Sequence, residues 1–176
     1  MDLFKTVWPD LPDLNGVQLG LARVEDIGFI GLLSRHFVES GLSGWSWNPN
    51  RVAEQIQNPD SLVMVARDEE IVVATAIVEY GRTVSHLNLL VVEPGYQRTG
   101  IGTCLVRYIE NSAVLLGHDK IHLEVRLHNF GARAFYRTLG YKEIEVQKNY
   151  YRGREAAVYM VHEIQTSPTT QFSEKQ

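Results

Sequence analysis

Apolar positions along this chain change their spacing repeatedly, and each change marks an element. "VQLGLARV" (17–24) predicts a short strand, after which Glu25 and Asp26 open a helix expected to reach about Ser40. Ile27, Ile30, Leu33 and Phe37 fall near helical spacing on that segment. "GLSGWSWNPN" (41–50) reads as a loop holding two of the three tryptophans. A second helix, "RVAEQIQ", stops at Asn58, because Pro59 disfavours helix in the residue before it. Two strands, "SLVMVAR" and "IVVATAIVEY", flank the charged turn Asp68-Glu69-Glu70, and "TVSHLNLLVV" (83–92) follows the Gly81-Arg82 turn. A helix from Gly100 to about Leu116 carries one stripe of Ile101, Leu105, Tyr108, Ile109 and Leu116. "KIHLEVRL" (120–127) alternates as a strand, and "NFGARAFYRTLG" is a short helix ended by Gly140. "YKEIEVQKNYY" and "REAAVYMVHEI" close the pattern as a hairpin around Arg152-Gly153. The order β-α-α-β-β-β-α-β-α-β-β predicts a mixed α/β fold with a mostly antiparallel sheet.

At 176 residues without an internal linker, this is the length of one well-cored domain. The pattern divides it into a leader at 1–16, a domain at 17–164 and a polar tail at 165–176 expected to fray. A net charge of −4 argues against a protein built to grip a nucleic-acid backbone. The single cysteine, Cys104, excludes an intrachain disulfide and reads as core. Among six histidines only His118 and His122 stand four apart, across a Gly-His-Asp turn, so no metal site is expected. The first residues lack the basic and apolar blocks of a signal peptide, and no run of 18 apolar residues occurs. The expectation is a cytoplasmic protein that does not enter membranes.

The candidate chemistry starts at "YQRTGIG". Gly95 and Gly100 have the first spacing of a P-loop, but Ile101 and Gly102 stand where Lys and Ser/Thr are required. A dinucleotide fingerprint fails at Leu105, and antiparallel hairpins precede the turn rather than a βαβ unit. A bare anion cradle remains. The first N–H groups of a helix lack partners, and glycines at 100 and 102 remove the Cβ atoms that would hold a phosphate away. Gln97 and Arg98 add side-chain donors at the rim. Such a cradle suits a pyrophosphate that is bound and not cleaved; equally, the glycines could serve only tight packing.

"VVEPGYQRTGIG", after a strand and before an amphipathic helix, resembles the acetyl-CoA-binding motif of the GNAT superfamily of N-acetyltransferases, Q/R-x-x-G-x-G/A, met by Gln97, Gly100 and Gly102. The resemblance implies the GNAT fold: a mixed, mostly antiparallel sheet of about seven strands, splayed at strands 4 and 5, with about four helices. It implies that the amides of Arg98, Thr99, Gly100, Ile101, Gly102 and Thr103 hold the CoA pyrophosphate. It further implies that Leu90, Val91 and Val92 pair with the pantetheine like an added strand.

A second constellation lies at 122–141. Ile121, Leu123, Val125 and Leu127 share one face of the strand, and His122, Glu124 and Arg126 the other. Asn129 opens the next helix and Tyr136 follows two turns on. With Leu123-Glu124-Val125-Arg126, Asn129, Ala132, Tyr136, Gly140-Tyr141, Asn149-Tyr150-Tyr151 and Gly153-Arg154-Glu155-Ala157, the chain is most similar to the bacterial ribosomal-protein-alanine N-acetyltransferases. That resemblance implies Glu124 as general base, Tyr136 as general acid and Asn129 as a CoA ligand.

The residue types fit. An α-amine with a pKa of about 7.7–8.0 must lose a proton before attack, and a carboxylate takes it directly or through water. The neutral amine attacks the thioester, a backbone N–H near Val92 polarises the carbonyl, and a phenol protonates the thiolate. Other readings stay open: Glu124 as a strand-face ion pair, Tyr136 as core, and the Tyr150/Tyr151 pair as cross-strand aromatics. For the acceptor, a protein N-terminus stands first. A small amine (amino acid, polyamine or antibiotic) stands second, and an idle acyl-CoA-binding module last. Monomer and homodimer remain equally open.

Overall fold

A computed structural model describes residues 14–42, 44–151 and 153–164. The leader up to residue 13 and the tail from 165 lie outside the described residues, so the expectations for them are not tested. Seven strands form one sheet: β1 (Gln18–Leu21), β2 (Ser61–Asp68), β3 (Ile71–Tyr80), β4 (Val84–Val92), β5 (Lys120–Arg126), β6 (Lys142–Tyr151) and β7 (Glu155–Glu163). Their spatial order is β1-β2-β3-β4-β5-β7-β6. Every neighbouring pair is antiparallel except β4 with β5.

Four α-helices cover the two faces: α1 (Ile27–Leu33), α2 (Pro49–Gln57), α3 (Ile101–Leu115) and α4 (Phe130–Thr138). One core gathers Ile101, Leu105 and Ile109 of α3 and Tyr136 of α4 with Ile121, Leu123 and Val125 of β5. The other packs Ile30 and Leu33 of α1, Trp47 and Val52 against Val63, Val65, Ile77, Leu89 and Val91. Cys104 is buried in the first core, as its core reading expects, and burial pushes its thiol up.

Three sequence expectations change. The helix opened at Glu25 is not continuous: a 3₁₀ turn (Val24–Asp26) leads into α1, and a π turn (Ser34–Val38) ends it. The wider turn shifts the helical phase, so Val38 packs against the core while Phe37 turns out to 46% exposure. Leu116 is likewise exposed, because α3 ends at Leu115 before the stripe can continue. Finally, α2 starts at Pro49, two residues early, with Asn48 accepting the Arg51 N–H as its N-cap.

β4 holds a feature that alternation conceals. The β3–β4 register passes from Ile77↔Leu89 to Val78↔Leu87, leaving Asn88 as an extra residue. The bulge reverses the alternation along β4. Leu87 therefore joins the core under α3, whereas Leu89 and Val91 join the core under α1 and α2.

Candidate functional site

The parallel pairing of β4 and β5 covers only Val84↔Lys120, Ser85↔Ile121 and His86↔His122. Beyond His86 and His122 no pairing joins the two strands among the described residues, and a wedge-shaped cleft opens between them. Leu90, Val91 and Val92 lie on its β4 wall, still paired on their other side with Ala76, Thr75 and Ala74. That wall keeps one edge of backbone available to an extended ligand.

The glycine turn sits at the end of β4. Pro94–Tyr96 forms a 3₁₀ turn, and α3 follows from Ile101. Arg98 at φ +65° and Gly100 at φ +93° adopt left-handed backbone, which bends the chain so that successive N–H groups face one side. Cys104 donates to the Gly100 carbonyl as the first intrahelical bond. Among the described residues the N–H groups of Arg98 and of 100–103 have no acceptor, as an anion cradle requires, while the turn at 97–98 closes on the Thr99 N–H. Thr99 fixes the turn by donating from Oγ1 to the Tyr96 carbonyl at 2.6 Å. Exposed Gln97 donates from Nε2 to the Val92 carbonyl at 3.0 Å, bracing the turn against β4. A Cβ on Gly102 would stand 3.4 Å from Phe135 Cζ and 3.5 Å from Val92 Cγ2, ordinary contact distances, so the packing of α3 against α4 and β4 does not itself demand glycine there.

Asn129 caps α4, its Oδ1 accepting the Ala132 N–H at 3.1 Å, while its amide N–H groups have no partner among the described residues. Tyr136 is buried, edge-on to Phe135 and Tyr141. Burial, and to a lesser extent neighbouring Tyr151, pushes its phenol well above the ordinary range, so the hydroxyl stays protonated.

Glu124 lies on the opposite face of β5 from the core residues Leu123 and Val125, as the alternation predicts. Its Oε2 is 2.7 Å from His86 Nε2. The His86 and His122 rings stack at 4.3 Å and 16°, and His122 lies against Tyr159, two strands from His86. Tyr151 donates to the Glu124 carbonyl at 3.2 Å. Burial raises the Glu124 carboxyl, but the hydrogen bond and charge of His86, together with the Tyr150 hydroxyl and His122, outweigh it and hold the group below its usual value. Burial and the charge of His86 push His122 down, against the opposing pull of Glu124. Tyr150 is pushed up to about 12 by burial and by the Glu124 carboxylate.

His86, His122 and Glu124 offer donor atoms within 4.8 Å of one another. Alternation along β5 already places His122 beside Glu124; His86 joins them through the parallel register with β4. A metal ion must lie in the plane of each imidazole that binds it, about 2.0–2.1 Å from the nitrogen. Two nearly parallel rings 4.3 Å apart cannot converge on one ion without turning, so the arrangement suits proton exchange better than chelation.

Two further features border the cleft. A solvent-open cavity of about 310 Å³ is lined by Asn58, Asp60, Glu79, Tyr80, Gly81, Val84, His86 and His122. On the other side, Arg126 pairs with Glu155 at 2.7 Å and donates to the carbonyls of Ser40 at 3.0 Å and Val38 at 3.4 Å, tying β5 to the segment after α1. Trp47 is buried in the core under α1 and α2, as its apolar area favours.

Comparison with known proteins agrees with this geometry. Residues 29–141 match the model of the acetyltransferase (GNAT) family. The chain is 38% identical over 74 residues to the [ribosomal protein bS18]-alanine N-acetyltransferase of Escherichia coli K12, covering 40% of this chain and about half of that protein's length. It is 29% identical over 127 residues to the N-alpha-acetyltransferase RimI of Mycobacterium tuberculosis, covering 70% of this chain and 78% of that one. Among solved structures, the Escherichia coli ribosomal-protein-S18-alanine N-acetyltransferase superposes with a TM-score of 0.70 at 24% identity, over 89% of this chain and 99% of that one. An aminoglycoside 6'-N-acetyltransferase complexed with coenzyme A gives 0.68 at 23% identity, over 86% and 99%. The seven-stranded sheet opening between β4 and β5, the cradle before α3 and the matched span identify the chain as a member of the acetyltransferase (GNAT) family.

Proposed function

We propose that this protein transfers the acetyl group of acetyl-CoA to a primary amine, the N-terminal α-amine of a protein or peptide. The observation that carries the reading is the cleft itself. β4 and β5 part immediately beyond His86 and His122, with the unsatisfied amides of 100–103 at one end and the Glu124 carboxylate on its wall. In this reading the cradle, Leu90 to Val92 and Asn129 hold the cofactor. Acetyl-CoA supplies an activated thioester, and the protein supplies position and proton transfer.

Glu124 takes the proton from the incoming ammonium, directly or through water. The neutral amine attacks the thioester carbonyl, a C–N bond forms, and the C–S bond breaks as the tetrahedral adduct collapses. Tyr136 gives its proton to the departing thiolate. No covalent intermediate on the protein is needed, and Cys104 is buried in the core.

A small polycationic amine is the second reading, favoured by Asp60 and Glu79 in the cavity beside the histidine pair. One experiment separates the two: CoA release from acetyl-CoA with a panel of short peptides and small amines, for wild type and Glu124→Gln. Turnover of free-N-terminus peptides that the variant loses supports the first reading, and turnover of small amines alone supports the second. CoA binding without any turnover overturns both.

A further inference from the structure

We propose that His86, stacked on His122, carries the proton that Glu124 takes from the acceptor amine out to the solvent-open cavity, which makes it a second proton-handling residue of the site; the inference rests on the acetyl-transfer reading above.

The need for such a residue follows from the geometry. Every ammonium acceptor delivers one proton to Glu124, and the carboxylate must return to its ionised form before the next turnover. The Glu124 side chain is only 12% exposed against 29% for His86, and with cofactor and acceptor seated in the cleft its direct route to water closes further. His86 touches Glu124 Oε2 with Nε2 at 2.7 Å and also lines the 310 Å³ cavity. The imidazole therefore stands between the carboxylate and bulk water. His122 lines the same cavity and stacks on His86 at 4.3 Å, which fixes the ring's plane.

Groups from each packed element face the imidazole. Glu79 is its register partner on β3, Glu124 and His122 come from β5, and Asp60 lines the cavity wall. Gln55 of α2 holds Glu79 by donating to its Oε1 at 2.7 Å. Asp60 and Glu79 place negative charge on the outer side of the ring, which favours a proton moving from Glu124 toward the cavity. In the step itself an ammonium N–H bond breaks and an O–H bond forms on Glu124. In the tautomer with the ring proton on Nδ1, Nε2 accepts the proton as that O–H bond breaks, and the resulting imidazolium releases one ring proton to water or a buffer base in the cavity. The net change is one proton moved from the amine to solvent.

The alternative is that His86 only holds the Glu124 rotamer. Added imidazole tells the two apart, because a diffusible base replaces a proton carrier and not a strut. The experiment measures kcat with a saturating peptide acceptor for wild type, His86→Ala and His86→Gln across imidazole concentrations, after melting temperature and CoA binding have shown each variant to be folded. The relay predicts a fall of about 10²-fold in both variants. It also predicts that imidazole recovers at least about tenfold of the loss in the alanine variant while leaving wild type unchanged. Loss of rate without recovery, with His86→Gln near wild type because glutamine still donates to Glu124, assigns His86 to positioning and overturns the relay. Wild-type rates in both variants overturn it as well. A wild type that turns over no amine overturns the acetyl-transfer reading and the relay together.

Discussion

The Glu124 carboxylate lies 2.7 Å from His86 Nε2 at the last register pair that joins β4 to β5. The same pair that ends the parallel ladder thus holds the carboxylate beside the cleft. Replacing Glu124 with Gln keeps size and removes the proposed base. Expected is a fall in kcat of about 10²–10⁴-fold with CoA affinity unchanged, measured by steady-state rates and CoA titration.

The pH dependence of stability carries a defined sign. The folded Glu124 carboxyl is held below its ordinary value despite burial, chiefly by His86. Its ionised form therefore stabilises the fold above the unfolded value of about 4.3, and that contribution disappears as pH falls through the folded value. Wild type should accordingly lose its melting-temperature advantage over Glu124→Gln as the solution is acidified from about pH 5 downward. An advantage that grows on acidification contradicts this assignment.

How far the sequence disclosed this site depends on what kind of contact made it. Local features were legible: the glycine turn, the alternation that turns Glu124 away from Leu123 and Val125, and the Asn129 cap each follow from a few adjacent residues. Features set by register were not. The bulge at Asn88 leaves no mark in composition, yet it decides which face Leu89 and Val91 cover. His86 looked like any half-exposed strand residue. Its signal was positional: His86 and His122 are each the third residue of their strands, so a parallel ladder starting at Val84 and Lys120 must stack them. The π turn that exposes Phe37 reflects the packing after α1, which no local pattern encodes.

Gly140 is a stability position outside the chemistry. It lies at φ +102°, and a Cβ there would stand 2.8 Å from His162 Nε2. The ring cannot move aside freely, because His162 Nδ1 is 2.9 Å from the buried Glu110 carboxylate. Gly140→Ala should cost about 1–3 kcal/mol, read as a lower denaturation midpoint. Adding His162→Ala should return the part due to collision and leave the part due to the backbone.

Arg126 ties β5 to the Val38 and Ser40 carbonyls while Glu155 orients it. Arg126→Ala releases the segment after α1 from the strand that carries Glu124, without touching the cradle. The expected result is a rise of about tenfold in KM for the acceptor, with KM for acetyl-CoA unchanged, in line with loss of a charge-assisted link of about 1.5 kcal/mol. Equal changes in both constants would assign Arg126 to general stability.

Asn129 serves α4 with its carbonyl oxygen and leaves its amide hydrogens without a partner among the described residues, so two roles share one side chain. Asn129→Ala removes both and should cost about 0.5–2 kcal/mol of stability together with CoA affinity. Asn129→Asp keeps an oxygen to cap the helix, exchanges the amide donors for a negative charge, and should restore stability while CoA binding stays weak. Asn129→Ser caps without that charge and checks that repulsion is not the cause. If the serine variant recovers stability and CoA affinity together, Asn129 acts on the cofactor only by shaping the start of α4. If it recovers stability alone, the amide itself contacts the cofactor.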